Sequence, residues 1–246
     1  MQRKPCPKKK RNAMTQNDQT IRATVDLVIL TSHKGSLYVL LSKRTKNPFA
    51  DWYALPGKFI RTKESAEAEA KALLDEMLPG KTAYLEQLYT FTDPKRDTRG
   101  RIISIAYLAV IPWISLSATT LKEESCMELF RIDQTLMLLR RAEKDIHWED
   151  LAFDHADIIR TGLVRLAGKI EYTDISFKFL NDQSSFAVSE LKDIYDSILN
   201  KTSDQGNFRR MIKNRYITTG RFQELQVPRK SVGKGRPPAK YMITGN

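Results

Sequence analysis

The densest chemistry in the chain lies in residues 55–80, LPGKFIRTKESAEAEAKALLDEMLPG. Its outline is that of a phosphate site built around a divalent cation: a Pro-Gly turn, a loop, then a helix carrying carboxylates. Glu64, Asp75 and Glu76 are oxygen ligands of the kind that Mg²⁺ or Mn²⁺ requires. Side chains four apart on a helix are neighbours and can share one cation. A second cluster, TDPKRDTRGR at 92–101, holds Arg96, Arg99 and Arg101 just before an apolar run. Guanidiniums there suit an anionic ligand, because their forked N–H groups grip two oxygens at once. A third cluster is basic and terminal. Residues 1–11 hold six basic residues and no acid, and residues 201–246 hold eleven basic and two acidic, whereas the whole chain carries a formal +12. The span between is therefore mildly acidic, and a polyanion is the expected partner of the C-terminal segment. For the basic N-terminus a solubilising, disordered tail is expected.

The elements that must position these groups follow from pattern. At 246 residues and 41% hydrophobic, the chain can bury a full core in two domains. Residues 20–31, TIRATVDLVILT, form a β-branched run that predicts a buried strand. Residues 33–36 are a turn in which His33 is expected to be exposed, and 37–42 return as the partner strand. Strong helix formers run from 66 to about 78, opened by Glu64-Ser65 and stopped by Pro79-Gly80. Strands are expected over 83–91 and 102–113, on either side of the arginine loop, and over 125–132; residues 134–141 are a short apolar segment. Apolar spacing predicts a helix over 156–170, with His155 packing at its N-terminus. Cys6 and Cys126 make neither a disulfide framework nor a zinc site. No apolar stretch follows the basic N-terminus as in a signal peptide, and none approaches a membrane span, so a cytoplasmic protein is expected. Met14 is an alternative start.

On the Leu55-Pro56-Gly57 turn, Glu64-Ser65 and the helix stop, residues 55–80 resemble a Nudix box, the loop–helix–loop with which pyrophosphohydrolases hold metal against a diphosphate. The family pattern is G-x5-E-x7-R-E-U-x-E-E-x-G-U, U being aliphatic. In that register Lys58 takes the first Gly, Glu64 the first Glu, Ala72 the Arg and Leu73 the next Glu. Leu74 keeps the aliphatic place, Glu76 and Met77 stand for the carboxylate pair, and Pro79 replaces the closing Gly. The resemblance thus implies a metal pair at two places where the chain has Leu73 and Met77, which offer no oxygen. A slide by one residue restores Asp75-Glu76 as a pair but puts Lys63 and Ala72 at the other ligand places. Without metal to activate water, hydrolysis is expected to be very slow. The resemblance extends over roughly 18–170, where an Ala-Phe-Asp-His segment at 152–155 begins the last helix, and it implies an α/β/α sandwich.

Beyond it the pattern changes. Ser189 is expected to cap a helix through Asn200 whose Leu191, Ile194, Tyr195, Ile198 and Leu199 make an apolar stripe. Thr202 or Ser203 is expected to cap a second helix, 204–215, with Phe208, Met211 and Ile212 inward and Arg209, Arg210 and Lys213 outward. Strands are expected at 222–227 and 240–244. The linking PRKSVGKGRPPA carries Arg229, Lys230, Lys234 and Arg236. Two helices and a basic hairpin resemble a winged helix-turn-helix, in which the second helix enters a major groove and the wing follows phosphates. Arg209, Arg210, Lys213, Arg229, Lys230, Lys234 and Arg236 are the candidate DNA-binding residues.

A disabled Nudix domain followed by a winged helix resembles the NrtR family, the Nudix-related transcriptional regulators of NAD metabolism. The fold class expected is α+β, with a disordered basic tail at 1–17, a Nudix-like effector-binding sandwich at 18–172 and a winged helix-turn-helix at 173–246. The resemblance implies a repressor, a homodimer on a palindromic operator in double-stranded DNA, and release by ADP-ribose or a related nucleotide, with no cofactor, no catalytic residue and no bound metal. A related branch senses sugars. The candidate effector-binding residues are Arg44, Lys58, Arg61, Arg96 and Arg99; Lys58 and Arg61 sit in the former metal loop, where fixed positive charge in part replaces the cation. Two other readings stay open: a nucleotide pyrophosphohydrolase with an atypical site of Glu64, Asp75 and Glu76, and a module that binds RNA through its basic ends.

Overall fold

The computed structural model of the chain describes residues 20–81, 83–120, 126–142, 144–226 and 238–244. Its centre is β1 (Arg22–His33). Val28 and Leu30 point into one apolar cluster, and Val25, Leu27 and Ile29 into another. A strand apolar on both faces has to be covered on both. It pairs antiparallel with β2 (Ser36–Lys43) across a tight turn. Two short strands, β3 (Tyr53–Ala54) and β4 (Gly57–Phe59), flank the Leu55-Pro56 step and dock on β2 and β1. Then follow α1 (Ala66–Met77), β5 (Tyr84–Phe91), β6 (Ile102–Val110), α2 (Trp113–Thr120), β7 (Met127–Asp133), β8 (Leu138–Arg141), β9 (Lys144–His147) and α3 (His155–Ile170). The sheet order is β5-β6-β1-β2-β7-β8-β9, with β1 and β6 parallel.

The C-terminal part contains β10 (Phe186–Ala187), α4 (Val188–Leu199), α5 (Gln205–Ile212), β11 (Phe222–Glu224) and β12 (Lys240–Ile243). Its three strands form a second sheet in the order β10-β12-β11. Leu73 and Leu74 of α1 and Leu116 of α2 cover one face of the large sheet. Helix α3 covers the other, joined there by Leu191, Ile194 and Ile198 of α4. One apolar core therefore runs from the sandwich into the two-helix segment. Ser32 and Ser197 hydroxyls meet at 3.0 Å, and the Tyr195 hydroxyl donates to the Ile170 carbonyl at 3.1 Å. Phe177, Phe186, Tyr216 and Phe222 close the far end, with Tyr216 stacked on Phe222 at 4.7 Å. Among the described residues no helix is long and apolar enough to cross a membrane.

Several elements differ from expectation. The strand expected to reach 113 ends at Val110, because Pro112 cannot continue the ladder and its carbonyl instead accepts from Ser115 to start α2. Helix α2 stacks Trp113 on His33, ring centroids 4.2 Å apart, so His33 is half-buried rather than exposed. The segment at 134–141 is a turn leading into β8, paired with β9, which was not expected; four-residue strands carry too little alternation to be read. Helix α4 begins one residue before Ser189, and the Glu190 carboxylate accepts the Ala187 N–H at 2.9 Å in place of a serine cap. Helix α5 is capped by Asp204, which accepts from Asn207 N–H at 2.8 Å, not by Thr202 or Ser203. Its regular hydrogen bonding ends at Ile212, and a π-turn over Lys213–Ile217 keeps Tyr216 turned inward. Strand β11 stops at Glu224, short of 227.

Phe186 is fully buried in the shared core, whereas all three tryptophans lie before residue 150. Phe186→Ala should therefore cost about 3–5 kcal/mol. Urea denaturation followed by tryptophan fluorescence should give a single transition at a lower midpoint, although the substitution lies in the C-terminal part.

Candidate functional site

A cleft opens beside the central strand β1, where five segments meet. Strand β1 supplies Thr24 and Asp26, the end of β2 supplies Arg44, and the β3–β4 turn supplies Leu55, Gly57, Lys58 and Phe59. The loop before β6 supplies Arg96, Asp97 and Arg99, and the chain entering α3 supplies Phe153 and His155. The space is open at its mouth and holds about 470 Å³ when the solvent in front of it is included. Gly57 is required by contact: a Cβ there would lie 2.0 Å from Asp26 Oδ1.

Asp26 sits on the buried strand β1 between Val25 and Leu27, and the site is built around that carboxylate. Ser104 donates to its Oδ2, Thr24 donates to the same oxygen at 3.3 Å, and an Arg96 guanidinium nitrogen lies 3.8 Å away. Arg96 is itself held by Asp154 through two parallel bonds of 2.8 and 2.6 Å. His155 accepts the Leu55 N–H on Nδ1 at 2.8 Å, which leaves the proton on Nε2, 3.9 Å from Asp26 Oδ1. Burial pushes the His155 pKa down, against the pull of Asp26 and Asp154, so the imidazole is held neutral.

The mouth is cationic and aromatic. Phe153 has φ +58, a strained value for a non-glycine residue, and presents its ring between Arg44 at 4.7 Å and Arg99 at 5.0 Å. Phe49 meets that ring edge-on at 4.9 Å. Arg99 is paired with Asp97 through bonds of 2.9 and 2.6 Å. Burial opposes the Asp97 charge, but the bonds from Arg99 outweigh it and hold the carboxyl below its ordinary range. Arg44 donates only to the carbonyls of Pro48 and Lys46. Burial, then the nearby Arg99, lowers its pKa against the pull of Asp97. The lining carries Arg44, Lys58, Arg96 and Arg99 against Asp26 and Asp97.

Four of the five effector candidates from sequence thus share this lining. Arg61 does not; its guanidinium reaches back to Glu69 of α1 at 2.5 Å. Glu64, Asp75 and Glu76 do not converge: Glu64 is exposed before the helix and Asp75 accepts from Gly80 N–H at the far end. Leu73 is buried in the core and Met77 packs beside it. The divalent ion that a Nudix-like fold implies therefore does not fit. Lys58 lies 3.1 Å from Glu69 and 2.8 Å from Glu76, and the Arg61 hydrogen bond holds Glu69 down to about 2 despite burial.

A second surface lies on α5. Phe208 and Ile212 face inward, whereas Arg209, Arg210 and Lys213 are exposed and form no ion pair among the described residues. The α4–α5 turn is fixed by Asn200 at φ +48 and by Asp196, which accepts from Ser203 N–H at 3.0 Å. Strands β11 and β12 pair antiparallel as the arms of a hairpin. Arg229, Lys230, Lys234 and Arg236 lie outside the described residues.

No family model matches the sequence. The "ADPR responsive transcriptional repressor NtrR" of Acinetobacter baylyi is 31% identical over 220 residues, 89% of this chain and 80% of that protein. The chain belongs to the NrtR family of transcriptional regulators. Its fold agrees: the crystal structure of Shewanella oneidensis NrtR complexed with a 27mer DNA superposes with a TM-score of 0.72 at 26% identity, over 90% of this chain and 93% of that one. An ADP-ribose pyrophosphatase of Methanocaldococcus jannaschii is 30% identical over 122 residues, but these are 50% of this chain and 63% of that enzyme. The A. baylyi and S. oneidensis regulators each align with most of the chain, and the α+β fold, a Nudix-like sandwich with a winged helix, is the NrtR fold.

Sequence reasoning missed Asp26, Phe59, Phe153 and Glu69. A lone acid inside TVDLVIL was a usable signal for Asp26, since a buried charge needs partners. Nothing local marked Phe153, whose role depends on two arginines brought from distant segments. Because His155 is neutral when folded, its contribution to stability is complete above its unfolded pKa of about 6.5 and is lost as pH falls through the lower folded value. Melting temperature should drop as pH falls from about 7.5 to about 5.5, across the ordinary histidine pKa of about 6.5. His155→Gln should flatten that drop while lowering stability at neutral pH.

Proposed function

We propose that this NrtR-family protein is a DNA-binding repressor of NAD-metabolism genes, released from its operator when ADP-ribose or a related nucleotide occupies the cleft. The observation that carries the reading is the coexistence, on one core, of a cation-and-aromatic cleft and an unpaired basic helix. Arg44 is the natural contact for a diphosphate, because among the described residues its guanidinium forms no ion pair and donates to the neutral carbonyls of Pro48 and Lys46. The Phe153 ring, set between two guanidiniums, suits a nucleobase or ribose face. Arg209, Arg210 and Lys213 supply phosphate and base-edge contacts, with Arg229, Lys230, Lys234 and Arg236 of the wing. The A. baylyi relative is ADPR-responsive, and the S. oneidensis relative was crystallised on DNA. Two copies on a palindrome would set their α5 helices about one turn of DNA, roughly 34 Å, apart.

The cleft binds without turnover. Leu73 and Met77 stand where metal ligands are needed, and fixed ammonium and guanidinium groups neutralise a diphosphate but cannot generate hydroxide. Ligand and operator occupy different faces, so coupling runs through the packing of α4 on the sheet. Gln134 and Thr135 of the β7–β8 turn reach the Ser197 carbonyl and Asn200, and the α2 N-terminus donates from Ile114 to Asn181 at 3.0 Å.

In a fluorescence titration against promoter DNA of NAD-synthesis genes, Arg209→Ala and Arg210→Ala should each weaken binding, and a phosphate contact should reduce the salt slope by about one. Saturating ADP-ribose should weaken operator binding by roughly 5- to 150-fold. Arg44→Ala should keep operator affinity and lose that response. Unchanged operator affinity at saturating nucleotide would reject ADP-ribose as the effector, and AMP release from ADP-ribose at enzymatic rates would reject the non-catalytic reading.

A further inference from the structure

Lys58, which lines the cleft, also belongs to a charge cluster on α1 that effector binding alone does not require. Glu69 in α1 has a fully buried side chain, and Glu76 stands two turns further along the same helix face, largely exposed. Lys58 comes from β4, where it is paired with Val25 of β1, and reaches across to the helix. Its ammonium lies 3.1 Å from Glu69 Oε2 and 2.8 Å from Glu76 Oε1. Glu69 Oε1 is engaged by Arg61, from its side chain at 2.5 Å and its backbone N–H at 3.2 Å. Glu69 Oε2 has the Lys58 ammonium as its counter-charge.

We propose that Lys58 is a tethered cation that closes this site to divalent metal: its ammonium takes the place between Glu69 and Glu76 where an ion would be held, and so commits the cleft to metal-free binding of its anionic ligand. The last clause rests on the effector reading; the closure to metal stands on the geometry alone.

Charge decides the matter. Two carboxylates already face one ammonium and one guanidinium, so the set is neutral. A divalent ion entering it would be placed a few ångströms from two cations, and the repulsion would be felt most at Glu69, whose side chain is fully buried. Hard cations take oxygen ligands; Glu69 Oε1 belongs to Arg61, and the oxygens left, Glu69 Oε2 and Glu76 Oε1, are the two that Lys58 covers. A lysine held by a strand loses nothing to dilution or to chelators, which a free ion does. It differs from a metal in one chemical respect: it neutralises phosphate oxygens, but it is no Lewis acid and does not lower the pKa of water.

The test uses the full-length protein, Mn²⁺ alone and no nucleotide, so a failed effector titration leaves it intact. Free Mn²⁺ is followed by its EPR signal. Wild-type protein should leave the signal unchanged at concentrations where Lys58→Met and Lys58→Ala bind one ion per chain, with affinity raised roughly tenfold or more by removal of the like charge. Adding Glu76→Gln to either variant should abolish the gain. The proposal fails if folded Lys58 variants, judged by circular dichroism, gain no Mn²⁺ site, or if the gain survives Glu76→Gln. A second measurement holds even if the Lys58 variants do not fold: the melting temperature of wild-type protein should be the same in EDTA and in excess Mn²⁺. A Mn²⁺-dependent rise in wild type that Glu76→Gln removes would overturn the proposal.

Discussion

A charged residue on a strand buried from both sides is the constraint from which the cleft grows. Asp26 lies between Val25 and Leu27, both fully buried. A carboxylate in that position is tolerated only if donors and counter-charges reach it. Ser104 arrives from the parallel neighbour β6, Arg96 from the loop before it, and His155 from the start of α3. Gly57 must lack a side chain to let the β3–β4 turn pass over it. Each of these segments then carries its neighbours, Arg99, Phe153 and Lys58, to the rim. The electrostatic need of one side chain thus gathers the cationic rim that is proposed to receive an anionic ligand.

The outer layer of charge is graded. Arg96 and Arg99 are each held by a carboxylate in bidentate fashion, so their positions are set before any ligand arrives. Arg44 is anchored through neutral carbonyls and keeps its charge for an incoming group. This division gives a preorganised frame and one responsive cation, which lowers the ordering cost of binding.

Much of this was legible in the sequence, for identifiable reasons. The run at 20–31 had to be a buried strand because β-branched residues filled both faces, and the helix at 66–78 announced itself through its formers, its serine cap and its Pro-Gly stop. The cationic residues of the cleft were readable from composition and from the box resemblance. What could not be read is distance: that Arg61 turns to Glu69 instead of the cleft, and that Phe153 stands between two arginines. Helix α2 and strand β9 were also out of reach, because both are short and owe their form to neighbours, Trp113 to His33 and β9 to β8. Local propensity is silent where tertiary contacts decide.

The shared core changes how the C-terminal segment can be regarded as a part. The seam drawn on the sequence at 172/173 falls between Ile170 and Ile175, both buried in the same cluster. Leu191, Ile194 and Ile198 of α4 serve at once as the inner face of a winged helix and as a lid on the large sheet. Such a helix cannot be grafted onto another sensor as an interchangeable cassette, because the receiving sandwich would have to present the same apolar floor and a hydroxyl opposite Ser197. Modularity here stops at the level of chain order. In evolutionary terms the two halves are bound to co-vary: a repacking substitution in the sheet alters the seating of α4, and with it the angle at which α5 is offered to any partner.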